Sequence, residues 1–455
     1  MFSCDEYPSK PDFFRAVKPT LIPWRFKLCW QCRFFQRPSF SVAQFTGKIE
    51  AALEGAVTRT LLKQSAKFEG FGPSILVRQM RGILASLPLP EDRMQARKLI
   101  RENCPLTPGI YGWLDSNRQL AYVGKSKCLR KRLLSYLALN PNDSKAARIR
   151  RHCDLICWEP ISHELLALLR EQELINRWRP EFNSMGQPTR MQPAYLCVAG
   201  SPAPNMRLAR RLPDKYLHAY GPIRGTKRLR GALNSLNHVF NLRDCPDKTK
   251  FEFQNQGFLF DNPVSAACIR YELGSCPGPC AGKCDSSQYT SLVNDAVAFL
   301  SGKRPEVLNQ IESKMREAAL REAFESAAIY RDSWKQLTWL DRRLTGLRLA
   351  KEHLNGVLEI DARRERTAWM ILQGGKLVAT VAKPNNEKRA LRAVDAIENA
   401  CRGESGLSTN LLEMSLQLII ISWFRKNPKI KKQLLSFEQS LQFCRQFTDE
   451  ETAAA

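Results

Sequence analysis

The segment PGIYGWLDSNRQLAYVGKSKCLRKRLLSY, residues 108–136, constrains the fold of this chain more than any other stretch. Two short apolar and aromatic runs, GIYGWL and LAYVG, are separated by the polar stretch DSNRQ, which is a hairpin signal. The run that follows has leucines at helical spacing, at Leu129, Leu133 and Leu137, with lysine and arginine between them. The segment therefore predicts a β-hairpin followed by a short basic helix.

The charge of the chain favours a polyanionic partner. Its 455 residues include 70 Lys and Arg against 45 Asp and Glu, which gives a formal net charge of +25. Such a surface favours nucleic acid as the partner, and a basic surface kept for solubility or for anionic lipid is the alternative. At this length we expect about two or three domains, each with its own core.

The longest apolar stretch and the N-terminus indicate in which cellular compartment the chain is expected. The longest apolar stretch, residues 411–424, is interrupted by Glu413, Ser415 and Gln417 and is too short to span a bilayer. The N-terminus lacks a clean apolar core followed by a cleavage site, so we expect a cytoplasmic protein without a signal peptide. Its fifteen cysteines are then reduced thiols, and some are candidate metal ligands.

Periodicity and turn residues predict a multidomain α+β chain. We expect, in order, a poorly ordered arm (1–45), a helical extension (46–102), a domain containing the hairpin and basic helix (103–186), a strand-rich and cysteine-rich module (187–300), a helical hairpin (301–350) and a mixed α/β piece (351–455).

The hairpin and the basic helix resemble the GIY-YIG nucleases. Gly109-Ile110-Tyr111 and Tyr122-Val123-Gly124 match the two triplets that name this family, and the segments YVGKSKCLRKRLLSY and LLREQELINRWRPEFN look like its UvrC branch. Resemblance to UvrC, the nuclease subunit of bacterial nucleotide excision repair, implies a small antiparallel sheet flanked by helices over 103–186. It also implies a set of active-site residues: Tyr111, Tyr122, Lys125, Arg132, Tyr136, Glu171 and Asn183.

These residue types fit phosphodiester hydrolysis, which needs a water, a base for its proton and positive charge around the phosphoryl oxygens. By analogy with the family, Tyr122 would be the base. The pKa of a free phenol is about 10, and Lys125 would favour the phenolate. Arg132 would neutralise the phosphate, while Tyr111 and Tyr136 would position water and phosphate.

Glu171 would hold Mg²⁺ or Mn²⁺, because Mg²⁺ takes one or two carboxylates together with waters and substrate oxygens. Helical periodicity does not separate Glu171 from Glu173, since both have leucines three or four residues away. Only the family spacing to Asn183 favours Glu171. Asn183 helps to shape the site in the family, and its alternative role is a turn residue after Pro180. Singly, each of these residues also fits ordinary packing or a solvated face.

Four cysteines, Cys245, Cys268, Cys276 and Cys280, lie in one segment with glycine and proline between them. Four thiolates joined by tight turns suit a zinc ion or an iron–sulfur cluster, and ordinary thiols are the alternative. The segment resembles the cysteine region of UvrC, which implies a 4Fe–4S cluster. The first gap is longer than in the family, so Cys284 is an alternative fourth ligand.

Basic residues near the two sites are candidate DNA contacts, because arginine and lysine hold phosphate groups. They lie on the predicted basic helix and in the segment YGPIRGTKRLRGALNSLNHVFNLR, which also looks like UvrC. The expected contacts are Lys127, Arg130, Lys131, Arg224, Lys227, Arg228 and Arg230.

Residues 315–337 resemble the UVR motif, which implies docking on the partner UvrB, with UvrA acting upstream. The motif is expected to be helical in both halves, with an apolar face beside polar pairs. The expected contacts are Met315, Phe324, Glu325, Ala328, Tyr330, Arg331 and Asp332. A plain helical hairpin within a core or a linker is the alternative.

The resemblance to UvrC implies a single-metal, tyrosine-assisted endonuclease that cuts damaged double-stranded DNA on the 3′ side of a lesion, within a UvrB–DNA complex. Residues after 355 look like the opening of the C-terminal half of UvrC and then diverge, without a recognisable second nuclease site. This form resembles Cho, although Cho-type proteins lack the UVR segment. The alternatives are a non-catalytic adaptor for DNA and UvrB, and a GIY-YIG nuclease of mobile DNA.

Overall fold

The computed structural model describes residues 70–448, apart from 139–143, 184–192, 201, 247–248, 250, 252, 255–267, 363–365, 404–405 and 409. The predicted N-terminal arm and the first part of the predicted helical extension lie outside these residues. Within the described part, small antiparallel sheets alternate with helices, which confirms the α+β fold class.

The predicted hairpin is the edge of a four-stranded antiparallel sheet with strand order β1-β4-β2-β3. Its strands are β1 (Ala85–Pro88), β2 (Gly109–Asp115), β3 (Leu120–Ser126) and β4 (Cys153–Pro160). In the hairpin register Tyr111 pairs with Gly124, and Trp113 pairs with Tyr122. Strand β3 is therefore an edge strand, and the second tyrosine triplet lies on it.

The expectation that 46–102 is helical is wrong for part of its described residues. Strand β1 pairs with β4 and so belongs to the sheet of the hairpin. Its sequence alternates half-buried and exposed positions, and Pro88 and Pro90 prevent a helix there because proline lacks the backbone N–H. Only then does helix α1 (Arg93–Asn103) begin, capped by the Asp92 carboxylate.

Helices cover both faces of this sheet. On one face lie α1, α2 (Leu129–Ser135) and α3 (Ser144–His152), whose apolar residues pack around Tyr111 and Trp113. On the other face lies α4 (Glu164–Trp178), which packs on Ile110, Leu114 and Val123. The left-handed backbone of Arg179, with φ of 48°, ends α4 before Pro180.

A three-stranded sheet of order β6-β5-β7 follows, with a helical hairpin after it. The strands are β5 (Ala194–Ala199), β6 (Asn205–Ala209) and β7 (His218–Ile223). The helices are α5 (Thr226–Val239), α6 (Ile269–Glu272), α7 (Ser286–Leu300), α8 (Glu306–Leu320) and α9 (Phe324–His353). Helices α8 and α9 pack against each other, and α9 also packs on α5.

The last sheet has the order β10-β9-β8-β11. Its strands are β8 (Gly356–Ala362), β9 (Arg366–Gln373), β10 (Lys376–Ala382) and β11 (Leu434–Leu435). Its helices are α10 (Glu387–Arg402), α11 (Leu411–Lys426), α12 (Pro428–Lys431) and α13 (Phe437–Arg445). The apolar stretch 411–424 is helix α11, which packs against α4 and β10, so the first and last sheets share one hydrophobic core. In the described part of the chain, no helix is long and apolar enough to cross a membrane.

Candidate active site

Position 124, in the second triplet, requires glycine because the side chain of Tyr111 packs directly over it. A Cβ on Gly124 would lie 2.5 Å from the Tyr111 hydroxyl oxygen and 2.7 Å from its Cζ. Tyr111 is 1% exposed and lies over its cross-strand partner Gly124 on the sheet face that α2 covers. The pairing of the two triplets therefore brings the Tyr111 hydroxyl against the backbone of edge strand β3.

Three tyrosines meet on this face. The ring centroids of Tyr111, Tyr122 and Tyr136 are 6.0 to 6.4 Å apart in every pair. The hydroxyl oxygens of Tyr111 and Tyr136 are 3.0 Å apart, and Arg132 Nε donates to the Tyr111 hydroxyl at 3.0 Å. The Arg132 guanidinium also lies 5.1 Å from the ring centroid of Tyr136. The structure thus gathers four of the predicted residues into one cluster.

The two buried tyrosines of the cluster stay neutral. Burial raises the pKa of both Tyr111 and Tyr136 above the ordinary value of a phenol, and the nearby Tyr122 raises both further. A neutral phenol donates a hydrogen bond and accepts others, so this pair can hold a phosphate oxygen or a water but cannot act as a base. Arg132 adds a full positive charge beside them.

Tyr122 is the more accessible member of the cluster, being only partly buried. Lys145 Nζ lies 4.9 Å from its ring centroid. Sequence reasoning missed Lys145, although the basic run SKAARIRRH of α3 signals a cationic helix. Since side chains alternate along a strand, Tyr122 and Lys125 leave β3 on opposite faces. The ammonium that contacts the Tyr122 ring is therefore Lys145, and the predicted help from Lys125 is not supported.

The outer edge of β3 is covered by the end of the domain. The Ala121 carbonyl accepts a hydrogen bond from the Phe182 backbone N–H at 3.0 Å. The Asn183 carboxamide accepts from the Val123 N–H at 2.8 Å and donates to the Val123 carbonyl at 2.7 Å. Asn183 is 7% exposed, and both polar atoms of its carboxamide are hydrogen-bonded to this strand. Its position accordingly supports a structural role that fixes β3 between Tyr122 and Gly124.

Glu171 lies at the same outer edge of β3, beside Lys125, which is two residues after Val123. The Lys125 backbone N–H donates a hydrogen bond to its carboxylate, and the Lys125 ammonium acts on it electrostatically. Burial nevertheless raises the pKa of Glu171 to about 6, since Lys125 offsets only part of the desolvation. The tyrosine cluster therefore lies on one face of β3, and the Glu171 carboxylate of α4 lies at the outer edge of the strand.

Glu173, the alternative carboxylate, is fully engaged elsewhere. It is 3% exposed, accepts from Arg170 at 2.7 Å and from the Ser74 hydroxyl and the Ile75 N–H at 2.8 Å each. These contacts tie α4 to the segment before β1. Tertiary structure thus separates the two glutamates that helical periodicity left equivalent.

Glu171 fits a divalent cation. Within the described residues its carboxylate forms no ion pair, and burial raises its pKa, so a bound cation would compensate the buried charge. One carboxylate with open positions for waters and substrate oxygens is the usual protein contribution to a Mg²⁺ site.

The predicted cysteine ligands are near one another but are not assembled as a metal centre. Among the residues that the structure describes, no group of three or more His, Cys, Asp or Glu side chains is arranged to hold a metal ion. Burial raises the pKa of Cys276 and of Cys280, and the thiols of Cys245 and Cys268 raise both further. Burial also raises the pKa of Cys284 to about 11, with Cys276 and Cys280 contributing.

The predicted DNA contacts differ in their surroundings. Lys127, Lys131, Lys227, Arg228 and Arg230 are exposed. Arg130 donates to the Cys104 carbonyl at 2.6 Å, which fixes the start of α2, and Arg224 is partly buried.

The helical hairpin exposes apolar residues at its tip. Phe324 is 69% exposed, and sequence reasoning missed Leu320 at 85% and Ile329 at 51%. Of the other predicted contacts, Glu325, Arg331 and Asp332 are exposed, while Met315, Ala328 and Tyr330 are partly buried. Arg331 Nε pairs with Asp332 Oδ1 at 3.0 Å.

Family models match three consecutive parts of the chain. The UvrC-like GIY-YIG domain matches residues 107–184, the UvrC/Cho excinuclease middle domain matches 194–299, and the UvrB/uvrC motif matches 305–337. These ranges contain the tyrosine cluster, the cysteine segment and the helical hairpin.

Curated relatives agree with these matches. UvrABC system protein C of Shewanella frigidimarina is 31% identical over 245 residues, which cover 54% of this chain and 38% of that protein. The protein of the same name from Gemmatimonas aurantiaca is 30% identical over 278 residues, covering 60% and 43%. The chain thus spans about two fifths of the length of the relatives that it matches.

A solved structure, the magnesium-bound GIY-YIG N-terminal endonuclease domain of UvrC from Thermotoga maritima, is 34% identical and covers 19% of this chain and 97% of that one, with a TM-score of 0.17. A tyrosine-to-phenylalanine point mutant of the same domain, bound to the catalytic divalent cation, is 32% identical, with 19% and 96% covered and a TM-score of 0.17. By the family models and the curated relatives, residues 107–337 of the chain are similar to consecutive domains of the UvrC family.

Proposed function

We propose that this chain is a metal-dependent DNA endonuclease of nucleotide excision repair, acting in the cytoplasm and cutting one strand on the 3′ side of a lesion. The observation that carries the proposal is the arrangement around β3, which joins a neutral tyrosine pair and Arg132 on one face to a metal-competent Glu171 at the rim. In a chain similar to UvrC this arrangement suits phosphodiester hydrolysis. The nuclease domain would begin at Ala85 and extend to about residue 186, because β1 belongs to its sheet.

The residues of the cluster would have two roles, binding of the scissile phosphate and proton transfer from water. The Arg132 guanidinium and the neutral hydroxyls of Tyr111 and Tyr136 would bind the scissile phosphate. Tyr122 would take the proton from the attacking water, with the Lys145 ammonium over its ring to stabilise the negative charge.

Glu171 would hold Mg²⁺ or Mn²⁺ when the ion is bound, with Lys125 restraining the carboxylate through its backbone N–H. The ion would act as a Lewis acid on the phosphoryl oxygens. Because Asn183 fixes β3 at Val123, it would hold Tyr122 and Glu171 in register.

The test is incision of a lesion-bearing duplex, labelled at its 3′ and 5′ ends, with UvrA, UvrB and Mg²⁺. The wild-type chain should cut 3′ of the lesion, Glu171→Gln should not, and the exposed helix-surface control Glu387→Gln should cut like the wild type. Equal cutting by wild type and Glu171→Gln would refute the catalytic assignment. Absence of cutting by the wild type, with UvrB and DNA still bound, would favour the non-catalytic adaptor.

We also propose that UvrB docks on the tip of the helical hairpin. Phe324 is 69% exposed beside Glu325, Arg331 and Asp332, so an apolar anchor is surrounded by polar groups, as at many interfaces. Phe324→Ser should weaken UvrB binding at least about tenfold without changing thermal stability, since the side chain packs on little else. Leu391→Ser, at 53% exposure on α10, is the matched control. Equal loss in both variants would contradict docking at the tip.

For the cysteine segment we propose a 4Fe–4S cluster held by Cys245, Cys268, Cys276 and Cys280. The electrostatic coupling among these thiols and the Arg243 Nη1 donor 3.5 Å from Cys245 Sγ support it. Anaerobically purified protein should contain iron and sulfide and absorb visible light, and Cys276→Ser should lose both. The exposed Cys401→Ser is the control. Zinc without visible absorption, or no metal at all, would contradict the cluster.

A further inference from the structure

A cavity of about 800 Å³ opens beside the nuclease domain. Its walls come from β3, α4, the turn between β7 and α5, helix α9 and helix α11. Its volume is that of a site for a small or moderate ligand, which is about 300 to 1,000 Å³.

The lining of this cavity is strongly cationic. Glu164 is the one carboxylate among the described lining residues. Its cations are Lys125, Arg224, Arg228, Arg342, Arg343, Arg425, Lys426 and Lys431. Within the described part of the chain, none of these eight forms an ion pair with a carboxylate. Such uncompensated charge favours an anionic ligand from outside the chain.

Arg224 is the most enclosed of these cations. Its Nη2 donates only to neutral acceptors, Gln172 Oε1 and the Ser415 carbonyl, each at 3.4 Å. Its buried Nε has no hydrogen-bond partner, and burial lowers its pKa. A buried cation without a counter-charge is destabilising, and a bound anion would compensate it.

An aromatic ring lies near two of the cations. The guanidinium of Arg228 is 4.9 Å from the ring of Trp339, and that of Arg343 is 5.9 Å from it. Leu168, Leu347 and other apolar side chains form the remaining wall. Aromatic surface next to arginine is how proteins hold unpaired nucleic-acid strands, since a base stacks on the ring while phosphates meet the cations.

The cavity adjoins the candidate site through one residue and one helix. Lys125, whose backbone holds Glu171, also lines it. On α4, Glu164, Leu168 and Glu171 follow one another at spacings of four and three residues, so they share one face of the helix. A ligand in the cavity would therefore lie directly beside the rim of β3.

We propose that this cavity holds a stretch of unpaired DNA adjoining the scissile phosphate, with a base on Trp339 and phosphates on the surrounding arginines. The proposal rests on the proposed nuclease function. The cavity volume of about 800 Å³ is that of a small-ligand site, which suits a short unpaired stretch rather than a duplex. The adjoining nuclease site favours DNA over an anionic lipid, which would also match the charge and the apolar wall.

The first test measures binding of a fluorescent oligothymidylate, without metal, to the full chain carrying Glu171→Gln. Adding Arg343→Gln and Arg425→Gln should weaken binding at least about tenfold and reduce the salt slope by about 1.4, since each phosphate contact on a single strand contributes about 0.7. The exposed pair Lys388→Gln and Arg392→Gln on α10 removes the same charge elsewhere and should have little effect. Equal weakening by both pairs would overturn the proposal.

The second test is photocrosslinking with an oligonucleotide that carries iodouracil, followed by mapping of the modified peptide. Crosslinks should fall on Trp339, and Trp339→Leu should lose them, with thermal unfolding of that variant measured as the check on its fold. Crosslinks confined to other segments, or stronger binding to anionic phospholipid vesicles than to the oligonucleotide, would overturn the assignment. Because neither readout involves cutting, failure of the nuclease function and failure of this cavity are distinguishable.

Discussion

Glu171 and Glu173 lie two residues apart on α4, and only Glu173 forms an ion pair among the described residues. The Glu173 carboxylate accepts hydrogen bonds from the Arg170 guanidinium, the Ser74 hydroxyl and the Ile75 N–H. Glu171 instead lies at the rim of β3, with one backbone hydrogen bond and a pKa raised by burial. One glutamate therefore stabilises the fold, while the other is available for chemistry.

Glu171→Gln should abolish cutting and yet stabilise the metal-free protein. Burial raises the pKa of Glu171 from 4.5 to about 6, so its ionisation lowers the free energy of unfolding as the pH rises through about 6. Glutamine removes this effect, with a gain of up to about 2 kcal/mol above that pH and little change below 4.5. Thermal unfolding in EDTA at several pH values measures it, and a less stable variant at neutral pH would contradict it.

The matched substitution Glu173→Gln should behave in the opposite way. It leaves buried Arg170 with Glu159, at 3.4 Å, as its remaining carboxylate partner, and breaking a buried ion pair costs up to about 3 to 5 kcal/mol. Thermal unfolding should therefore shift down strongly. If the variant remains folded at low temperature, cutting per folded molecule should be retained, and complete loss of cutting in a fully folded Glu173→Gln would exchange the roles of the two residues.

The cutting rate should fall as the pH is lowered through about 6. Metal binding requires the Glu171 carboxylate, and its pKa of about 6 means that protonation removes the ligand below that value. Incision measured between pH 5 and pH 8 at saturating DNA would show a limb with a slope of about one per pH unit. Metal-free binding of DNA is the control and should not follow this titration. A flat rate across the range would exclude Glu171 as the titrating ligand.

Asn183→Ala should slow cutting by loosening β3. The substitution leaves the Val123 N–H and carbonyl without their partners, at a cost of about 1 to 3 kcal/mol for each buried group. We expect faster hydrogen exchange at Val123 and a lower kcat with KM unchanged, because the phosphate contacts remain. Asn399→Ala, on the exposed surface of α10, is the control. Unchanged exchange at Val123 would mean that the amide does not hold the strand.

Gly124→Ala should disrupt the tyrosine cluster. The new Cβ would lie 2.5 Å from the Tyr111 hydroxyl oxygen, so the ring must move away from Tyr136 and Arg132. We expect destabilisation of about 1 to 3 kcal/mol and a loss of cutting of more than about tenfold. For stability alone, Gly346→Ala in α9 is the comparison. A Cβ there meets no heavy atom within 4 Å, so we expect a gain of about 0.5 to 1 kcal/mol.

Local sequence signals predicted the hairpin, the basic helix and the helix ended before Pro180, because each depends on neighbours in the chain. They did not predict strand β1, which is a strand because it pairs with β4 about seventy residues away. Helical spacing also could not choose between Glu171 and Glu173, since the choice lies in contacts with Ser74 and Ile75, which come from another part of the chain.

The same reason explains which site residues were missed. Lys145 reaches the tyrosines from α3, a different element from the hairpin and the basic helix. Trp339, Arg343 and Arg425 come together from α9 and α11, and no local pattern links a tryptophan in one helix to an arginine in another. The charge of the whole chain indicated an anionic partner but not the place where it binds.

Helix α9 runs without interruption for 30 residues, from the exposed Phe324 at the hairpin tip to His353 near the cavity. A helix of that length measures about 45 Å. It contains no proline, so it has no built-in hinge at which the two ends could bend towards each other. Trp339 lies 15 residues, or about 22 Å, along this helix from Phe324. A protein bound at the tip would therefore be held at a fixed distance from Trp339, and that distance would be set by the number of helical turns between them.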